Sequence, residues 1–112
     1  MALLTPLVPV ITGPLLGAVA AAGGGDSFSN TGKELFYVKN ASGGAITVTF
    51  DSPATCSFAG AALAAHDNSV SVGAAEERLI GPFPAVRFND GSSNVIVTYS
   101  GVTSLTVAVI RP

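Results

Sequence analysis

His66 and Asp67 form the only histidine–carboxylate neighbours in this 112-residue chain, and Cys56 is its only cysteine. A catalytic thiol needs a base within hydrogen-bond reach. The spacing of Cys56 and His66 gives no reason to expect that pairing. Cys56 therefore reads as a small buried hydrophobe. A single cysteine also rules out an intrachain disulfide and a cysteine-built metal site. His66 beside Asp67 is a poor start for a Ser-His-Asp triad, because adjacent residues seldom share that geometry, and the segment reads as a surface loop. Glu76 and Glu77 are the only adjacent carboxylates. On a strand they point to opposite faces, so they do not make an acid–base pair. Arg78 beside them suggests surface ion pairs, worth about 0–1 kcal/mol. Asp90 in Phe88-Asn89-Asp90-Gly91 supplies too few oxygens for calcium, which takes about 6–8. That stretch reads as a β-turn. Gly23, Gly24 and Gly25 lack the lysine and the strand-to-helix setting of a phosphate loop. No G-x-S-x-G or H-E-x-x-H occurs. The expectation is a protein that is not an enzyme, with no catalytic, cofactor-binding or metal-binding residues.

Composition narrows the field further. Hydrophobic residues make up 48% of the chain and charged residues 11%, where about 25% charged is usual. Such a surface is hard to keep wet, so contact with other chains is expected. The net charge is −2, from 5 basic and 7 acidic residues scattered singly. There is no basic stripe for nucleic acid. With 7% aromatics and no Trp, there is little to stack bases on.

Residues 1–25 carry no charge at all. A membrane span needs about 20 apolar residues in unbroken helix. Pro6, Pro9, Pro14, Gly13 and Gly17 argue against one. A signal peptide fits poorly too: no Lys or Arg opens the segment, and prolines interrupt it. Residues before proline favour extended backbone, which suits Thr5-Pro6, Val8-Pro9 and Gly13-Pro14. Residues 1–30 are thus expected to be an extended N-terminal arm, with Gly23 to Asn30 as linker and residues 31–112 as the domain. An apolar arm of this kind is expected to lie on another subunit. Leu3, Leu4, Leu7, Val8, Val10, Ile11, Leu15 and Leu16 are its expected contacts.

Beyond Thr31 the apolar period is two. Strands are expected at Glu34 to Lys39, Ala45 to Phe50, Ser69 to Val72, Glu76 to Ile80, Ala85 to Phe88, Asn94 to Tyr99 and Ser104 to Ile110. The first two look like a hairpin around Ala41 to Gly44. Phe58 to Ala65, rich in alanine, reads as a short helix or a loop. About seven short strands with close turn signals make a small all-β fold, an antiparallel β-sandwich or a jelly-roll-like barrel. Phe36, Val38, Ile46, Val48, Val70, Val72, Val97 and Val107 are the expected core. Thr47, Thr49, Ser69, Ser71, Thr98, Thr103 and Thr106 suit the solvated outside of a sheet.

Two blocks carry a resemblance. One is Asn30-Thr31-Gly32-Lys33-Glu34-Leu35-Phe36-Tyr37-Val38-Lys39-Asn40, followed by the Ile46 to Phe50 strand. The other is Glu77-Arg78-Leu79-Ile80-Gly81-Pro82-Phe83-Pro84 with Arg87-Phe88-Asn89-Asp90, leading to Val97 through Ser104 and the tail Ile110-Arg111-Pro112. Together with the proline-bearing start, the chain resembles a family of small proteins encoded among the head genes of tailed bacteriophages. The resemblance implies a capsid decoration or cement protein on the outside of the virion, in the host cytoplasm during assembly. Its implied partners are the major capsid protein and copies of itself, as in a trimer, with no nucleic acid and no membrane. A head–tail connector or tail-tube component is the structural alternative. A carbohydrate-binding module for host attachment is another, and it needs an aromatic platform from Phe83, Phe88 and Tyr99.

Overall fold

Short alternating runs bounded by Gly, Pro, Asn and Ser become strands because one face can be buried while the other stays wet. The computed structural model describes residues 2–9, 13, 17–52, 55–58, 61–65 and 67–112, the side chains of 2, 55–58 and 61–65 excepted. In chain order the strands are β1 (Ala2–Leu4), β2 (Val19–Ala20), β3 (Asp26–Ser29), β4 (Leu35–Asn40), β5 (Ile46–Phe50), β6 (Thr55–Phe58), β7 (Ala61–Ala65), β8 (Asn68–Val72), β9 (Glu77–Ile80), β10 (Asn94–Tyr99) and β11 (Leu105–Ile110). One helical turn, α1 (Ala85–Phe88), precedes β10.

Nine strands form two sheets, ordered β1-β3-β10-β5-β8 and β2-β11-β4-β9, and β6 with β7 makes a separate hairpin. The fold is an all-β open sandwich. Its pairs are antiparallel except β1 with β3, which is parallel. Strands outnumber the expected seven because the N-terminal segment and residues 55–65 contribute their own.

The expected hairpin of β4 and β5 does not form. β4 pairs with β11 and β9, whereas β5 pairs with β10 and β8. The chain crosses the sandwich between them, so Phe36 and Phe50 meet across its interior with ring centroids 5.2 Å apart. Buried Asn40 stitches the corner. Its side-chain amide donates to the carbonyls of Gly44 and Val72, and its carbonyl accepts from the Ser42 N–H and hydroxyl.

Three further expectations change. Ala85–Phe88 is a helical turn, not a strand. A strand would put Val86 and Phe88 on one face; the turn leaves Val86 90% exposed and Phe88 4%. Residues 58–65 fall largely in the β6–β7 hairpin, where pairing overrides alanine's helix preference. Val70 is only half-buried, because β8 is a sheet edge. The other seven expected core residues are buried. Phe28, Phe50, Phe83, Phe88, Val95, Leu105 and Val109 join them.

The stretch read as linker also belongs to the sandwich. β3 lies between β1 and β10, with Asp26 and Phe28 fully buried. Gly25 makes the approach possible. Its φ is +94°, and a Cβ there would sit 2.7 Å from the Val97 carbonyl oxygen. Gly25→Ala is expected to lose more than about 1 kcal/mol in urea unfolding, because side chains resist positive φ.

Candidate functional site

The N-terminal segment is charge-free, and an isolated extended chain has unpaired backbone groups that need partners. A sandwich offers partners at its sheet edges. β1 adds to the edge at β3 in the register Ala2–Asp26, Leu3–Ser27, Leu4–Phe28. Leu4 turns into the core at 7% exposure, and Leu3 turns out at 67%. The chain then crosses to the other sheet. The Leu7 N–H donates to the Val109 carbonyl, and the Arg111 N–H donates to the Leu7 carbonyl, both at 2.7 Å. β2 later pairs with Thr106 and Val107 of β11. The segment thus has a seat on its own domain, where the open sheet edges take it by strand addition.

The expected contact residues separate accordingly. Leu3 and Val8 are exposed, Leu7 is half-buried against its own sheet, and Leu4 belongs to the core. Val10, Ile11, Leu15 and Leu16 lie outside the described residues, as does His66. Val19, which the sequence did not single out, is 49% exposed. Leu3, Leu4, Thr5, Gly17 and Val19 line a cleft of mixed polar and apolar surface together with Val107, Ala108 and Val109.

The cleft continues into an unusual sheet surface. On the outside of the four-stranded sheet, Tyr37 stands between Leu79 and Ala108, and Leu35 lies opposite Ile110. Leu79 is 57% exposed. Charge appears only at the rim of this sheet, where Lys39 and Glu77 lie 4.0 Å apart and the Tyr37 hydroxyl donates to Glu77. The five-stranded sheet is the opposite: Thr47, Thr49, Ser69, Ser71 and Thr98 form its exposed or half-buried face. Five residues of the expected polar exterior thus line this sheet, while Thr106 lies opposite Lys39 on the four-stranded one.

A buried carboxylate fixes the seat of the arm. Glu34 has no exposed surface. It accepts from the Thr31 N–H at 2.7 Å, from the Thr31 hydroxyl at 2.9 Å, and from the Arg111 guanidinium. Burial pushes its carboxyl up, but the Thr31 N–H, then Arg111 and the Thr31 hydroxyl, outweigh burial and hold it at about 2. Arg111 so held is the residue whose backbone binds Leu7. Nothing in the sequence pattern singled out this pair.

Asp26 closes the other end. One of its carboxylate oxygens accepts from the Tyr99 hydroxyl at 2.6 Å and the Ala22 N–H at 3.3 Å. The other is buried and meets no hydrogen-bond partner among the described residues. Burial, then the bond to Asp26, pushes the Tyr99 hydroxyl far above its ordinary range.

The Cys56 side chain lies outside what the structure describes, and Glu76 and Asp90 each hold backbone N–H groups. Glu76 holds the Gly73 N–H and lies 3.6 Å from Arg78. The Asp90 carboxylate accepts from the Ser92 and Asn94 N–H groups, as a turn requires. Burial, then the carboxylates of Asp67 and Asp90, push the Asp51 carboxyl up. Among the described residues, no group of three or more His, Cys, Asp or Glu is arranged to hold a metal. Nor is any helix among them long and apolar enough to cross a membrane. Phe83 and Phe88 are buried at 2% and 4%, so they build no aromatic platform. The chain matches no family model, no curated protein and no solved structure.

Proposed function

We propose that this protein is a non-enzymatic structural component of a tailed-phage particle, a capsid decoration protein that binds the major capsid protein on the outside of the shell. The observation that carries the reading is the charge-free N-terminal segment, pinned along both sheet edges with Leu3, Val8 and Val19 turned outward. Leu3 stands on the outer face of the five-stranded sheet, opposite Ser27, and Val19 lies on the edge strand of the four-stranded sheet. A protein oriented this way sets on the shell the side of the sandwich that carries β1 and β2. The resemblance of the Asn30–Asn40 and Glu77–Asp90 blocks to phage head-gene products supports the same reading.

The proposed mechanism is thermodynamic. A ligand that binds the assembled shell, and not its separated subunits, stabilises the shell by mass action. The arm provides apolar contact, and the sandwich holds it in an extended shape before binding, which lowers the ordering cost.

The double variant Leu3→Asp/Val8→Asp tests this. Burying each such side chain is worth at least about 1.5 kcal/mol, so affinity for undecorated shells should fall roughly a hundredfold. Both side chains are exposed in the free protein, so its unfolding midpoint should not change. Co-sedimentation with shells reads the first and thermal unfolding the second. Undiminished shell binding by the folded variant contradicts the reading.

A further inference from the structure

The β6–β7 hairpin pairs with neither sheet. It leaves the sandwich after Phe50 of β5 and returns at Asn68 of β8, the last register pair of those strands. A two-stranded hairpin is marginally stable by itself in water, so its neck decides how firmly it is held. Residues 53–66 carry no Asp, Glu, Lys or Arg. Asp51 and Asp67 bound them, one residue beyond Phe50 and Asn68, where the next register pair would stand.

Like charges directly opposite each other destabilise a strand pair. Here the two carboxyls meet by a hydrogen bond. Carboxyl groups bond to each other only when one of them holds a proton. Asp67 is the one kept charged, because its Oδ1 accepts from the Ser52 N–H at 2.8 Å. Asp90 adds a negative charge from the turn before β10, where the Ser92 and Asn94 N–H groups fix its carboxylate. α1 brings Arg87 to the neck. Its carbonyl accepts from the Ser52 hydroxyl, and its guanidinium lies over the Phe88 ring. Burial, then Asp67 and Asp90, push the Asp51 carboxyl up, so Asp51 takes the proton.

We propose that Asp51 and Asp67 are a proton-operated clasp at the neck of the β6–β7 hairpin. One shared proton closes it. Loss of that proton to solvent sets two carboxylates against each other and opens it. The opening is local, because the Asp51 N–H stays bonded to the Ile96 carbonyl at 2.9 Å and keeps β5 in its sheet. A raised carboxyl value means that the closed neck favours the protonated form. The clasp is complete in acid and is lost as pH rises through the Asp51 value. Glu34 acts in the reverse sense, since its contribution is lost as pH falls below 4.5. The clasp does not rest on the proposed function.

Amide hydrogen exchange of the free protein, followed by NMR, reads local opening of this kind. Asp51→Asn places a permanent donor opposite Asp67 and cannot become charged. At neutral pH the amides of Thr55–Phe58 and Ala61–Ala65 should exchange about tenfold more slowly in Asp51→Asn than in the parent, the factor that goes with one pK unit. The ratio should shrink as pH is lowered to 4.5, where folded protein still holds Glu34 charged. Amides of β10 should exchange alike in both proteins. Equal hairpin exchange at neutral pH, or a ratio that ignores pH, overturns the proposal. Carboxyl-carbon NMR shifts of the parent protein follow the same proton without any substitution. Asp51 should titrate above its ordinary 3.8, with the hairpin amides shifting at the same midpoint. An Asp51 carboxyl that titrates at or below 3.8 overturns the clasp as well.

Discussion

Phe83→Ala is expected to cost about 3–5 kcal/mol of stability, the range for emptying an aromatic site in a packed core. Phe83 belongs to no strand, yet it is 2% exposed. Its ring lies 4.6 Å from that of Phe50, 5.5 Å from Phe88 and 5.6 Å from Phe28. Phe28 in turn stacks on Phe36 at 5.8 Å. The segment between β9 and β10 therefore caps one end of the sandwich by driving an aromatic plug between the sheets. Alanine would leave a hole bordered by several rings, each losing contacts on one side. Val86→Ala, two residues beyond Pro84 and 90% exposed, is the matched control and should stay within about 0.5 kcal/mol of the parent. Urea unfolding followed by circular dichroism measures both. Equal midpoints for the two variants would mean that Phe83 is not part of the core.

Acid should unfold the protein through Glu34. Its carboxyl falls from an ordinary 4.5 to about 2 in the fold. A lowered value means that the folded state favours the charged form. The stabilisation is complete above pH 4.5 and is lost as pH falls from there towards 2. That difference corresponds to roughly 3 kcal/mol. Glu34→Gln should unfold more easily than the parent at neutral pH, and the gap should close through that acid window. Glu34→Ala should cost about as much at neutral pH or more, since the Thr31 N–H loses its partner. Urea midpoints taken at steps from neutral pH down to 3 check both the size and the direction. A gap that stays constant across the window would show that the Glu34 carboxylate does not drive acid sensitivity.

Much of the sandwich can be read from alternation alone. β4, β5, β8, β9, β10 and β11 fall within a residue or two of where Phe36 and Val38, Ile46 and Val48, or Leu105, Val107 and Val109 point. What alternation cannot supply is the sheet to which each strand belongs. The turn after Asn40 reads as a hairpin because Gly43 and Gly44 suit a hairpin. Asn40's side-chain bonds to Gly44 and Val72 make it a corner instead. β3 is hidden because Asp26, Ser27 and Ser29 leave Phe28 as the only apolar signal. Asp26 can be buried only because Tyr99, distant in sequence, donates to it.

The arm shows the same division. Its lack of charge is plain in the sequence, and so is its need for a partner. The seat is not, because an open sheet edge exists only once the strands have assembled. Leu3 and Leu4 look alike in the sequence, but the register of β1 on β3 sends one outward and the other into the core. Glu34 and Arg111 are 77 residues apart. Each reads singly as a surface charge, and only the meeting of the β4 approach with the end of β11 turns them into an ion pair whose carboxylate is buried.

The central claim is tested most directly by imaging. Purified protein is mixed with undecorated phage shells, and the particles are reconstructed by cryo-electron microscopy. The account predicts regular density across the outer shell, with the β1 and β2 side of the sandwich, Leu3 and Val8 included, against the major capsid protein. Bare shells, or density confined to the tail vertex, would contradict it.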